Sequence, residues 1–546
     1  LTVRLLAALT RLLPLVIAAS GCPAAPPAGP LIPPPGDGSE AAQEVVQPAL
    51  TPLAHSYGER LPARLEGLEA QTYARLVAVA ARLGQRPPVV DRASQAMARE
   101  VCAGLLPEGP PPFKLVTFAL HGHGLVEPPP HFLVQDLPDG MEASALQSLD
   151  RQLERVLSRR RFSRVGISVT RPRATPKRRR LLLALLESRV ALRKPMPRKL
   201  SRGQEARLVV ALAPSISEPH LVVAGPAGSI RQAPLPESGT ANILCRFSGI
   251  YQVELTGKGA HGVEVLANFP IYCDQDPPSR VRYGGVPALG KVGAMERQFH
   301  ARANDVRKAA GLPPLAHSAA LAEVARAHSA DMHDHGFVGH VSPSTGQPSD
   351  RLRRARINFL EARENVARGY SVEEVLASLM SSPAHRANLL SDSVSQSGVG
   401  IVIDRSTTIP VLLVTQVLVK PGTDFDPGTA GADALALISR LRRRAGVPPL
   451  SPDPALQDLA ARHVGQATAA VSRAAARAAT RRLNRGLDAL GKRYREVVTL
   501  QLQLSALESM RQARSFVERR FTHLGLAIGR LADGSMLVTV LLAVSR

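Results

Sequence analysis

The chain has 546 residues, 45% of them hydrophobic, with four cysteines and no tryptophan. At about 100 to 200 residues per domain, that length implies several domains, each with its own core. The formal charge of +23 permits a basic surface that meets anionic lipid or polymer, whereas an aromatic content of 3% argues against the stacking platform of a nucleic-acid binder.

In chain order, Arg4 and Arg11 flank an apolar stretch from Leu12 to Ala19, and Ser20-Gly21-Cys22 follows. That layout predicts a secretory signal peptide over residues 1–22. Its end resembles a bacterial lipobox, which implies lipidation of Cys22 and attachment to a membrane; an ordinary signal peptide is the alternative. The apolar stretch is shorter than the about 20 residues that span a bilayer. Residues 23–42, rich in Pro, Ala and Gly, read as an extended tether that lifts the folded part away. If Cys22 carries lipid, Cys245 and Cys273 can pair in an oxidising compartment and Cys102 remains a free, buried thiol. If all four pair, three connectivities are open.

Internal similarity organises the rest. Gly311-Leu312-Pro313-Pro314-Leu315, followed by Leu321, Ala325 and His328, returns at the same spacing as Gly446-Val447-Pro448-Pro449-Leu450, then Leu456, Ala460 and His463. A fainter version starts at Gly84 and runs to Val89. Later runs match too: Gly398 to Ile403 with Val411 to Val419, Leu524 to Ile528 with Leu537 to Val544, and Val165 to Val169 with Leu181 to Leu192. These matches predict three copies of one helix-then-strand unit, at 43–195, 290–422 and 430–546. Periodicity in the middle copy predicts helices from Met295 to Ala309 and from Ser318 to Met332, and Ser371 with Glu374 reads as a capping box.

Between the first two copies the composition changes. Short Val- and Leu-rich runs, such as Arg207 to Leu212, Tyr251 to Leu255 and Val263 to Phe269, are broken by Gly, Pro and Ser. Their spacing resembles an immunoglobulin-like β-sandwich at 196–276, and residues 277–289 read as a linker.

Three short runs in the middle copy carry the chemistry. They are Gly339-His340-Val341-Ser342-Pro343, Glu364-Asn365-Val366-Ala367 and Ser382-Pro383-Ala384-His385-Arg386. Together they resemble the signature of the CAP superfamily, the secreted fold of cysteine-rich secretory proteins, antigen 5 and pathogenesis-related 1 proteins. The resemblance implies an α+β chain: a three-layer α-β-α CAP-type domain at 290–422, two degenerate CAP-like copies and the inserted sandwich. It also implies a cleft that gathers His340, Glu364 and His385. In animal and plant members another glutamate precedes the second histidine; Ser382 stands in its place here.

Each residue also has a physical reading. Ser382 and Pro383 suit the N-cap and first position of a helix, which puts His385 in the first turn, where the helix dipole disfavours imidazolium. A neutral imidazole is what a metal ligand or a general base needs. His340 and His385 are therefore candidate ligands for a divalent metal such as zinc, and Glu364 a carboxylate that orients an imidazole or ties down a loop. Asp331, His333, Asp334 and His335 read as a solvated charge run. His328 reads as a core residue, because His463 repeats it in a copy without the site. That last copy keeps a carboxylate at Glu496, while His121 and His123 in the first copy fall out of pattern.

The leading expectation is an envelope or secreted protein that binds a lipid, glycan or protein partner through the CAP cleft and basic surface. The alternatives are a hydrolase, using metal-activated water or His340, Glu364 and His385 as acid and base, and a purely structural envelope protein. The lack of an identifiable nucleophile favours binding over catalysis.

Overall fold

The computed structural model describes residues 44–226, 228–406, 409–490 and 493–546. The expected signal peptide, Cys22 and the tether fall outside the described residues. Two compact units emerge: one holds the described residues up to Pro348 together with Arg363–Leu418, the other Ser349–Ala362 and Val419–Arg546.

The middle segment is built on a four-stranded sheet in the order Ala316–His317, Gln396–Asp404, Val411–Pro421, Phe359–Gly369. Successive strand residues point to opposite faces, so the sheet sorts its neighbours. Val399 and Ile401 face Met295 and Phe299 of the helix Val292–Ala309 and Leu376 of the helix Val372–Ser381. Gly398 and Gly400 face the other way, against the helix Ala319–His335. A Cβ on either glycine would overlap that helix's backbone, at Leu321 and Ala322 or at Ala325 and Arg326. The result is an α-β-α sandwich of helix, sheet and helix.

Capping fixes the helix ends. Ser318 accepts the Leu321 N–H, and Gly336, at φ 67, stops the same helix in the left-handed region that glycine tolerates. Ser371 caps the helix Val372–Ser381 by accepting the Glu374 N–H. The reciprocal half of the expected box goes elsewhere: Glu374 accepts from Tyr370 N–H.

The same layering recurs in the other two α/β segments. In the first, Leu133, Val165 and Leu183 face Leu76 and Leu153, while Phe132 and Leu182 face Val101 and Leu115. In the last, the order Ser451–Pro452, His523–Arg530, Met536–Ser545, Tyr494–Leu504 matches that of the middle sheet. Gly166 lies against Ser94, and Gly525 against Leu456, as Gly398 does against Leu321. A buried arginine also recurs: Arg307 donates to the carbonyls of Pro313, Leu389 and Ser391, and Arg442 to those of Pro448, Phe516 and Glu518. Each guanidinium pins the Pro-Pro turn to a distant loop, which explains why the turn repeats with its spacing.

Between them lies a two-sheet sandwich. Five strands run in the order Ile230–Pro234, Ser217–Ala224, Gly249–Gly259, Gly262–Cys273, Lys199–Leu200, and three in the order Thr240–Leu244, Glu205–Leu212, Val190–Leu192. Leu208, Val253 and Phe269 fill the space between the sheets. Cys245 and Cys273 form a disulfide with their Cα atoms 5.7 Å apart. Cys102 is a free buried thiol, and burial pushes its pKa up to about 12.

Boundaries differ from the sequence reading in three places. Val190–Leu192, read as part of the first copy, pairs with Glu205–Leu212 in the sandwich. Tyr57, likewise read as part of the first copy, is buried in the sandwich core. The expected linker at 277–289 contains the strand Arg280–Tyr283, paired with Val45–Pro48. Strands of two to four residues are too short to display a period, so the sequence pattern passes over them. Among the described residues, no helix is long and apolar enough to cross a membrane.

Candidate functional site

His340, Glu364 and His385 come from three different elements. The helix Ala319–His335 ends at Gly336, and the loop beyond it delivers His340. The strand Phe359–Gly369 carries Glu364, and the helix Pro383–Leu389 carries His385. His340 Nδ1–H donates to Glu364 Oε1 at 3.0 Å, and the carboxylate side chain is only 2% exposed against 15% for the imidazole. Glu364 also lies 3.9 Å from His328 Nε2, which sits 2.8 Å from the Gly339 carbonyl. His328 is thus a fully buried support under the His340 loop, a role its apolar spacing concealed. Its counterpart His463 contacts Thr539 and Gln501 instead.

The second histidine is held by its own N-cap. Ser382 Oγ accepts the His385 N–H and lies 2.8 Å from His385 Nδ1. Burial, reinforced by the nearby His340, pushes the His385 pKa down to about 3. That holds the imidazole neutral, with desolvation as the leading cause. Asn388 ties the two motifs together by donating to the Glu364 carbonyl and to Asn365 Oδ1. Asn365 in turn donates to Gln416, a bond between the strands Phe359–Gly369 and Val411–Pro421 rather than within a loop.

The sandwich supplies residues that the sequence reading missed. Val341 N–H donates to the His261 carbonyl at 2.8 Å, and His261 Nδ1 lies 3.1 Å from the Val341 carbonyl. The His261 ring stacks on Phe337 with centroids 4.4 Å apart. A Cβ at position 339 would sit 2.5 Å from the His261 Cβ, which is why the residue before His340 is glycine. Glu254, fully buried on the neighbouring strand, accepts the Ala384 N–H at 3.2 Å and hydrogen-bonds Ser382. Burial raises its pKa to about 7. A carboxylate thus reaches Ser382 from another domain, beside the position where the family resemblance leads one to look for a second acid. Sequence alternation hid it: Val253 and Leu255 point into the sandwich core, so Glu254 belongs to the face that reads as solvated.

Other sequence candidates sort differently. Asp331 is buried, not solvated; it accepts from Ser344 and pairs with His335, bracing the turn after His340. His333 and Asp334 pair with each other at the surface. Glu496 is held by Arg520 at 2.6 Å, not by an imidazole. His121 contacts the Asn268 carbonyl, and burial lowers its pKa to about 4. His123 lies 3.7 Å from Glu100.

Residues 300–418 match the model of the cysteine-rich secretory protein (CAP) family. Over 116 residues the chain is 37% identical to YkwD, an uncharacterized protein of Bacillus subtilis (strain 168), covering 21% of this chain and 45% of that protein. It is 34% identical over 107 residues to YlbC, an uncharacterized membrane protein of the same organism, covering 19% of this chain and 31% of that one. The chain spans less than half the length of each of these curated relatives. Among solved structures, an extracellular protein containing a SCP domain from Bacillus anthracis str. Ames shares 22% identity, covering 42% of this chain and 81% of its own, at a TM-score of 0.22. The three motifs, the family match and the similarity to the two Bacillus subtilis proteins together place a CAP domain at residues 300–418.

Proposed function

We propose that this is a secreted or envelope protein that binds a lipid, glycan or protein partner through the CAP site and its basic surroundings. One observation carries the reading. The hydroxyl that meets His385 belongs to Ser382, which is 4% exposed and engaged as a helix cap, so the site offers a recognising imidazole rather than a nucleophile. Attachment through Cys22 would hold that site near a membrane. In this reading the outer α/β segments are degenerate CAP-like copies that kept the layers and, in the last, the buried arginine. The two-sheet segment is an immunoglobulin-like module. The test is co-sedimentation of the full chain with phosphatidylglycerol vesicles, phosphatidylcholine vesicles and purified peptidoglycan. Retention on one of these, weakened several-fold by His340→Ala, supports the reading. Retention on none of them, or no effect of His340→Ala, removes the lipid and glycan partners.

A second reading rests on the His340–Glu364 pair. The carboxylate holds Nδ1–H, so Nε2 is the nitrogen that would act as general base, with neutral His385 nearby. A hydrolase of this kind should lose at least about a hundredfold in turnover of an activated ester in His340→Ala or Glu364→Gln. Equal turnover in the variants and the parent chain rejects it. Zinc fits less well. With both Nδ1 atoms engaged, only the two Nε2 atoms could ligate, short of the three or four protein ligands usual for zinc. Among the described residues, no group of three or more His, Cys, Asp or Glu side chains is placed to hold a metal. Zinc titration of His385→Ala against the parent chain tests this: equal affinity rules out a shared site.

A further inference from the structure

A second concave feature lies away from His340, between the helix Glu142–Arg159 of the first α/β segment and the end of the helix Ala319–His335. Its floor is apolar, formed by Val156, Met332, Phe337, Val338, Val411 and Leu413. Its walls are basic: Arg155, Arg159, Arg160, Arg368, His131 and His333. Among the described residues of the lining, Asp404 is the one carboxylate; it accepts from Ser406 N–H and lies 4.0 Å from His333. Arg160 is paired with Glu187 at 2.5 Å.

The depth of the cavity holds an uncompensated pair. Arg368 Nη1 lies 3.1 Å from His131 Nδ1. A guanidinium only donates, so Nδ1 must accept, and the ring is neutral with its proton on Nε2. His131 is 7% exposed, and its Nε2 has no hydrogen-bond partner among the described residues. A guanidinium bonded to a neutral ring keeps its charge uncompensated there, and an anion in the cavity would offset it. Burial lowers the Arg368 pKa to about 10 and, with the Arg368 and Arg160 charges, drives that of His131 well down. Glu374 and Glu187 act on Arg368 from a distance, as weaker contributions than Arg160.

We propose that this cavity binds a small oxyanion, a carboxylate or a phosphate, held by Arg368 with Arg155 and Arg159 at its mouth. The cavity, about 50 Å³, admits a small oxyanion. The apolar floor strengthens the charge interactions above it by excluding water. Arginine forks suit the planar or tetrahedral oxygens of either group.

The test is calorimetric titration of the full chain with inorganic phosphate and, separately, with acetate, at constant ionic strength. Saturable binding of either supports the site, and the arm that binds identifies the chemistry. Arg155→Glu and Arg159→Glu change exposed positions and leave the core intact. Each should weaken binding at least tenfold, as should Arg368→Gln if it folds. Arg462→Glu, an exposed change of equal charge elsewhere, should leave affinity unchanged. Absence of saturable binding by both probes overturns the proposal. So does an equal loss in Arg462→Glu, which would make the effect one of net charge alone.

Discussion

At the scale of single residues, the CAP site depends on which groups are denied water. Glu254 is fully buried, and its pKa is raised to about 7 from 4.5. Between those values the folded chain keeps a proton that the unfolded chain releases, so stability falls as pH rises through that window, and the loss is complete above about 7. Its size is on the order of 3 kcal/mol. Glu254→Gln keeps a neutral acceptor for Ala384 N–H and removes the titration. The variant should therefore match the parent near about pH 4.5 and exceed it by a few kcal/mol near about pH 8, read from urea unfolding. A difference that does not change with pH would remove Glu254 from the buried set. Local sequence displayed Ser382 as a cap, because capping depends on neighbours in the chain. It could not display Glu254, whose partners are brought near by topology alone; the Ala384 contact spans 130 positions.

Among elements, the glycines explain why the repeated strands look alike. Gly398 has no room for a methyl group, because helix backbone at Leu321 and Ala322 occupies the space. Gly398→Ala should destabilise by about 1–3 kcal/mol through overpacking. Gly465 lies within the helix Pro454–Thr468 with open space where a Cβ would project, so Gly465→Ala should stabilise by about 0.5–1 kcal/mol. Equal effects in denaturant melts would contradict the close-packing account. The helices of the middle segment were legible because they carry a 3.6-residue period, and the strand from Val411 because it is an apolar run buried on both faces. The short strands at Arg280–Tyr283 and Val190–Leu192 were not, since their register is set by distant partners.

For the whole molecule, residues 300–348 and 363–418 of the CAP domain share a compact unit with the segments before them. Asn268 donates to the Ser381 carbonyl, and Phe132 N–H donates to Tyr370 Oη. The sequence displayed the three motifs and their order; in the fold His340 bonds Glu364, and Asn388, three residues after His385, bonds the Glu364 carbonyl. It did not display that a neighbouring domain closes over one side, because the alternation rule assigns the covering face to solvent. The reading of the site turns on His385 being half-buried and neutral. Its folded pKa is about 3 against 6.5 in the unfolded chain, so the folded state loses stability as pH falls below about 6.5. The most direct check is ¹⁵N NMR of the histidine-labelled full chain, with His385→Gln used to assign the resonances. The account predicts neutral-imidazole ¹⁵N shifts for His385 throughout the range from about pH 5 to 8, with Nδ1 sensitive to Ser382→Ala. A protonation midpoint near 6.5 would contradict it.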